Sequence, residues 1–155
     1  MTVNRVREYV KKFDSSLEPI EFEEKTNTVE EAARALGVES AQIAKSILFK
    51  VNDNFGLFVT AGDVRMNQKQ VKFLLGPGKP KLAAPEEVEL ITGYKIGGVC
   101  PFALNKEVPI YLDRSMNRFD TVYTAAGTAH SALPITFDKL AAITKGKVIN
   151  TQLSE

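Results

Sequence analysis

Apolar residues recur at Val3, Val6, Val10 and Phe13, the spacing of a single helix face, which predicts an amphipathic helix over residues 2–13. The segment EPIEFEE at 18–24 alternates instead and predicts an edge strand. Thr28 and Glu31 fit a capping box, opening a helix through EEAARAL that Gly37 should stop. A short helix is expected over 40–44. SILFKV (46–51) and GLFVTA (56–61) are rich in β-branched and aromatic residues, with Asn52, Asp53 and Asn54 as the turn between them. Asn67 can cap a helix to Leu75 that ends before Gly76, and Pro77, Gly78 and Pro80 make a loop. Pro85 suits the first turn of the helix EEVELIT, which stops at Gly93. YKIGGVCPF is broken by glycines. PIYLD (109–113) and TVYTAAG (121–127) read as strands, Thr136 caps a last helix through FDKLAAIT, and KVIN closes the sheet.

Strands and helices in this irregular alternation, with hairpin-like pairs, predict an α+β fold on a mixed or mostly antiparallel sheet. The 155 residues contain no repeat and no linker, so a single domain over 1–155 is expected. A hydrophobic fraction of 44% supplies a core, and 25% charged residues are usual for a soluble protein. No apolar run is long enough to span a bilayer. The amphipathic N-terminus lacks a signal-like apolar stretch. The lone Cys100 and the lone His130 leave no internal disulfide and no zinc set, so no metal or cofactor is expected. Together these features point to the cytoplasm.

Net charge is only +1, so a polyanionic partner gains nothing from the whole-chain balance. The local balance differs: Arg65, Lys69, Lys72, Lys79 and Lys81 stand against Asp63 alone between residues 62 and 82. This is either a solvated face or a phosphate-contacting patch.

Three positions attract a chemical reading. If the strand at 46–51 extends back by one residue, Lys45 shares a face with Ile47, Phe49 and Val51. Its ammonium then either reaches water over a packed stem or is desolvated, which lowers its pKa. Gly97 and Gly98, within GGVCP, mark either a tight turn or a close approach of a ligand to main chain, where N–H groups could face a developing oxyanion. Cys100 reads as a small residue of that loop, since a thiol nucleophile would need a base and His130 is 30 positions away. His130 could be a substrate contact, a base or neither, and Asp113 and Asp120 could cap or turn the chain. GPGKP lacks P-loop spacing and GTAHSA is not GxSxG.

Taken in order, TVEEAARALGVESAQIAKSILFK, LFVTAGDVRMNQKQVKFLLG, APEEVELITGYKIGGVCPF, PIYLDRSMNRFDTVYTAAGTAH and ITFDKL resemble the YbaK/ProX family of aminoacyl-tRNA deacylases, related to the editing domain of prolyl-tRNA synthetase. The resemblance runs from about residue 18 to about 145. It implies a curved, mixed, mostly antiparallel, barrel-like sheet surrounded by helices. It also implies a freestanding, trans-acting hydrolase that cleaves the ester of mischarged aminoacyl-tRNA carrying a small amino acid such as alanine, cysteine or serine, on tRNA-Pro or a related tRNA. Lys45 matches the family's essential lysine, and Gly97, Gly98 and Pro101 match its active-site loop. Val99 and Cys100 fall within that loop. Asp113 and His130 align with substrate-contacting positions. The family's use of the substrate's own 2′-hydroxyl would account for the missing triad. The implied partners are mischarged aminoacyl-tRNA and prolyl-tRNA synthetase, with no membrane and a monomer or weak homodimer. The alternative is a non-catalytic module that binds tRNA or a synthetase through the same cleft.

Overall fold

The computed structural model describes residues 2–151. In chain order its elements are α1 (Thr2–Lys11), β1 (Ile20–Glu21), α2 (Val29–Leu36), β2 (Ile43–Val51), β3 (Asn54–Ala61), α3 (Gln68–Leu75), β4 (Lys81–Leu82), α4 (Pro85–Thr92), β5 (Ile110–Asp113), β6 (Val122–Thr124), β7 (Ser131–Ile135), α5 (Phe137–Thr144) and β8 (Lys147–Ile149). All eight strands join one mixed sheet in the order β1-β7-β6-β2-β3-β5-β8, with β4 added beside β2. The sheet is open, ending at β1 and β8. The expected α+β arrangement is therefore present.

Local chemistry explains most element boundaries. The Thr28–Glu31 capping box forms, and Gly37 stops α2 at φ 70°, a conformation that costs glycine nothing. Asn67 accepts from the N–H groups of Lys69 and Gln70 to start α3. Thr136 accepts from Lys139 N–H to start α5. The β2–β3 hairpin turns on Asn52, which takes φ 54°, a left-handed value that asparagine tolerates well.

Several boundaries differ from expectation. α1 stops at Lys11, so Phe13 leaves the buried stripe of Val3, Val6 and Val10 and stands 51% exposed against Tyr9. The strand at 18–24 shrinks to Ile20–Glu21. The helix expected over 40–44 is a single 3₁₀ turn, Ser40–Gln42, because Ile43 and Ala44 pair into the sheet. β4 and β7 have no counterpart among the expected elements. Pro134 argues against a strand, yet β1 pairs only with Ser131 and Ala132, so no outer neighbour awaits the N–H that proline lacks.

The β2–β3 pair has two buried faces. Ile47, Phe49, Val51 and Phe58 lie under Val71 and Leu75 of α3. On the other face Leu48 and Leu57 meet Val88 and Ile91 of α4. β2 has a gap in its pairing. On the side away from β3 it is parallel to β6 at Ile43 and Ala44, and antiparallel to β4 at Phe49 and Lys50. Between these two contacts the edge is bare of strand partners, apart from a bond from Ala83 N–H to Leu48 O. This seam positions the site.

Candidate functional site

A cavity of about 360 Å³ opens at the seam. Its walls come from α2 (Val29, Ala32), β2 (Lys45, Ser46), β6 (Tyr123, Thr124) and the glycine loop (Gly97, Val99). Among the described residues Lys45 is its only charged lining residue, and no aspartate, glutamate, histidine or cysteine contributes to the wall.

Strand alternation places Lys45 beside Ile47 and Phe49, with Thr60 opposite on β3. The lysine is half-buried, and no carboxylate forms an ion pair with it among the described residues. Its pKa falls below the ordinary 10.5, first because burial penalises the charged form and then because Arg65 repels it; Asp63 and Glu30 oppose the shift. Asp63 is itself held by Arg118 through two contacts of 3.1 and 2.7 Å. The ammonium is thus poorly solvated and only partly compensated, a setting in which an incoming anionic group interacts strongly.

Ser46 carries no mark in the sequence. Because Leu48 O points away from β3 to accept from Ala83, alternation aims the N–H and C=O of Ser46 into the same seam. Its Oγ is buried with no hydrogen-bond partner. Nothing in local sequence signals this, since it arises from where β4 and β6 stop.

The glycine loop owes its shape to backbone contacts that exclude side chains. Gly98 N–H donates to Lys95 O, and Gly98 O accepts from Gly127 N–H at 3.0 Å. A Cβ on Gly98 would lie 2.6 Å from Gly127 C and Thr128 N. Gly97 has φ 99° and faces Asn27 and Ala129. The N–H groups of Gly97 and Val99 have no hydrogen-bond partner among the described residues. The loop's far flank is pinned by α1: Arg5 donates to Ala103 O and lies 5.1 Å from the Tyr94 ring, whose hydroxyl donates to Phe102 O.

The remaining residues named from sequence lie off the cavity wall. Cys100 is fully buried, and burial pushes its thiol up to about 12, which suits a packing role and not a nucleophile. Cys100→Ala is expected to retain most of the activity that the sequence resemblance implies and to resist thiol alkylation; loss of that activity in a variant shown by circular dichroism to be folded would restore the thiol to the chemistry. Pro101 is buried behind the loop.

Asp113 does not reach the cavity as a substrate contact: it is fully buried, and its oxygens accept from Ser115 N–H at 3.1 Å and Thr151 N–H at 2.8 Å. It ties the end of β5 to the turn after it and to the end of β8. Asp113→Ala, leaving two N–H groups unpaired, is expected to cost about 1–3 kcal/mol in a denaturant melt. His130 is exposed, with Nδ1 3.0 Å from Glu23 O, so it fastens the segment after β1 and does not line the cavity. Arg65, Lys69, Lys72, Lys79 and Lys81 are all exposed and form no ion pairs among the described residues. Nor do the described residues gather three or more metal-ligating side chains. No helix among them is long and apolar enough to cross a membrane.

The seam thus brings Lys45 of the bare strand and Gly97 and Val99 of the glycine loop onto one cavity. The chain belongs to the aminoacyl-tRNA editing domain family, which matches residues 23–143. It is 38% identical over 149 residues to the uncharacterized protein YwhH of Bacillus subtilis, covering 96% of this chain and 94% of that protein. It is 33% identical over 129 residues to a proline–tRNA ligase of Bacillus licheniformis, matching 77% of this chain but only 23% of the ligase. Among solved structures, one assigned provisionally as a trans-editing enzyme for prolyl tRNA synthetase superposes with a TM-score of 0.88 at 33% identity, covering 96% of this chain and 95% of that one.

Proposed function

We propose that the chain is a trans-acting deacylase that hydrolyses the ester joining a small amino acid, such as alanine, cysteine or serine, to the 3′ end of a mischarged tRNA. The tRNA in this reading is tRNA-Pro or a related one. The carrying observation is the wall of the cavity: among the described residues its one charged side chain is Lys45, its other polar side chains are hydroxyls and an amide, the glycine loop borders it, and it holds no thiol, imidazole or carboxylate. Such a wall offers positioning and charge stabilisation but no strong general base. That combination suits a substrate that is already activated, as an aminoacyl ester is.

In the reaction a water oxygen bonds to the ester carbonyl carbon, the carbon–oxygen bond to the ribose breaks, and the ribose oxygen takes a proton. Gly97 and Val99 N–H groups would receive the negative charge that grows on the carbonyl oxygen. The Lys45 ammonium would hold the nearby phosphate, and Ser46 would meet the polar atoms of the aminoacyl group. Arg65, Lys69, Lys72, Lys79 and Lys81 extend the positive field away from the cavity. The cavity lies in the range that holds ligands much larger than one small aminoacyl group, which leaves space for the sugar bearing the ester. The match to a structure assigned to trans-editing over 95% of its length supports action as a separate protein.

A panel of mischarged tRNAs incubated with the protein tests this reading. Release of a small amino acid from at least one of them, faster than spontaneous hydrolysis, is expected. Tight tRNA binding without release of any amino acid would point instead to a non-catalytic tRNA- or synthetase-binding module.

A further inference from the structure

The exposed side of α3 carries a combination that folding does not require. Helical spacing turns Val71 and Leu75 inward, where they pack with Phe49, Val51 and Phe58. The same spacing turns Lys69, Lys72 and Phe73 outward. Phe73 is 83% exposed, the largest fraction among the large hydrophobic residues left at the surface in the described residues. It contributes almost nothing to the core and leaves a bare aromatic ring in water.

Its neighbours along the helix are cationic. The helix contains no acidic residue. Arg65, also exposed and outside any ion pair among the described residues, lies just before it in the chain. Asp63, the nearest acid in sequence, is neutralised by Arg118. Phe73 stands five residues into α3, roughly 7.5 Å along its axis at 1.5 Å per residue.

We propose that Phe73 is a stacking platform for an unpaired base in the single-stranded 3′ segment of a tRNA, with Lys69 and Lys72 holding the flanking phosphates. An aromatic ring among unpaired cations is the arrangement by which proteins grip single-stranded nucleic acid, because every base offers a face and every nucleotide a charge. A duplex buries its base faces, so the platform selects the unpaired end, the part of the molecule that must lead toward Lys45. The inference rests on the proposed tRNA substrate but concerns a surface outside the cavity.

The protein contains no tryptophan, so Phe73→Trp installs a single indole fluorophore at the platform. A tRNA with an intact single-stranded 3′ end is expected to quench it, and the same tRNA trimmed to a blunt acceptor end is not. Phe73→Leu keeps the bulk but loses the ring, and should raise KM for aminoacyl-tRNA on the order of 10–100-fold with an unchanged Tm. Lys69→Gln and Lys72→Gln should each flatten the salt dependence of binding. Equal quenching by intact and blunt tRNA, or an unaltered KM for Phe73→Leu, overturns the proposal. So does a fluorescence response to a synthetase and none to RNA. If no mischarged tRNA is hydrolysed yet intact tRNA alone quenches the Phe73→Trp variant, the deacylase reading fails and the platform stands.

Discussion

Lys45→Met is expected to lower deacylation by about 10²–10³-fold, the usual cost of removing one preorganised charge or donor from a catalytic site, without lowering thermal stability. The two halves of this prediction have one cause. The lysine is desolvated and repelled by Arg65, so its charge is unfavourable to the fold while being useful to an anionic ligand. The sign of the linkage follows from its lowered pKa. Between the folded-state pKa and 10.5 the unfolded chain binds more protons than the folded one, so stability rises with pH through that window. The contribution is complete above 10.5 and lost as pH falls through the folded-state pKa. Methionine fills similar space without charge, so its Tm at neutral pH should equal or exceed that of the wild type, and the alkaline gain attributable to Lys45 should vanish. Enzymatic enhancement in the wild type should decline as pH rises through a value below 10.5. Undiminished deacylation by Lys45→Met, on the substrate the wild type hydrolyses, would remove the lysine from the mechanism.

Gly98→Ala is expected to abolish most activity and to destabilise the protein by about 1–3 kcal/mol, the range for forcing an extra carbon into a packed interior. The added Cβ would stand 2.6 Å from two main-chain atoms of the Gly127–Thr128 link. No side chain can rotate away to relieve that contact, so one backbone segment must move. Either movement shifts Gly97 and Val99, which line the cavity with Lys45. Gly127 cannot move freely either, since it lies against Thr2 of α1. Chemical denaturation and single-turnover deacylation check the two effects. An active variant of wild-type stability would show that the close approach is not tight in solution.

This pairing explains why two glycine-bearing stretches, GGV and AAG, stand far apart in sequence yet serve one structure. The sequence marks GGV as unusual and reads AAG as the end of a strand, and cannot show that they face each other. Helix termini were legible because their causes are local: Thr28 with Glu31, Asn67, Thr136, Gly37 and Gly93 each act within a turn of their helix. Lys45 was legible as a break in alternation. The seam was not, because it depends on β6 and β4 meeting β2 at separate places, and both contacts are long-range. For the same reason Ser46 is unmarked in the sequence. Asp113, His130 and Cys100 are chemically capable residue types, but residue type does not give direction. Asp113 is committed to main-chain N–H groups, the His130 ring to Glu23 O, and Cys100 to the core.

In the proposed reaction Lys45 and the main chain of residues 97–99 act on one ligand. Nuclear magnetic resonance of protein labelled with ¹⁵N, titrated with a non-hydrolysable amide analogue of an aminoacyl-adenosine, measures this directly. The Lys45 side chain and the amides of Gly97 and Val99 are expected to shift together and saturate at one dissociation constant. Shifts in one group while the other stays still, or two groups saturating at different concentrations, would contradict a shared site.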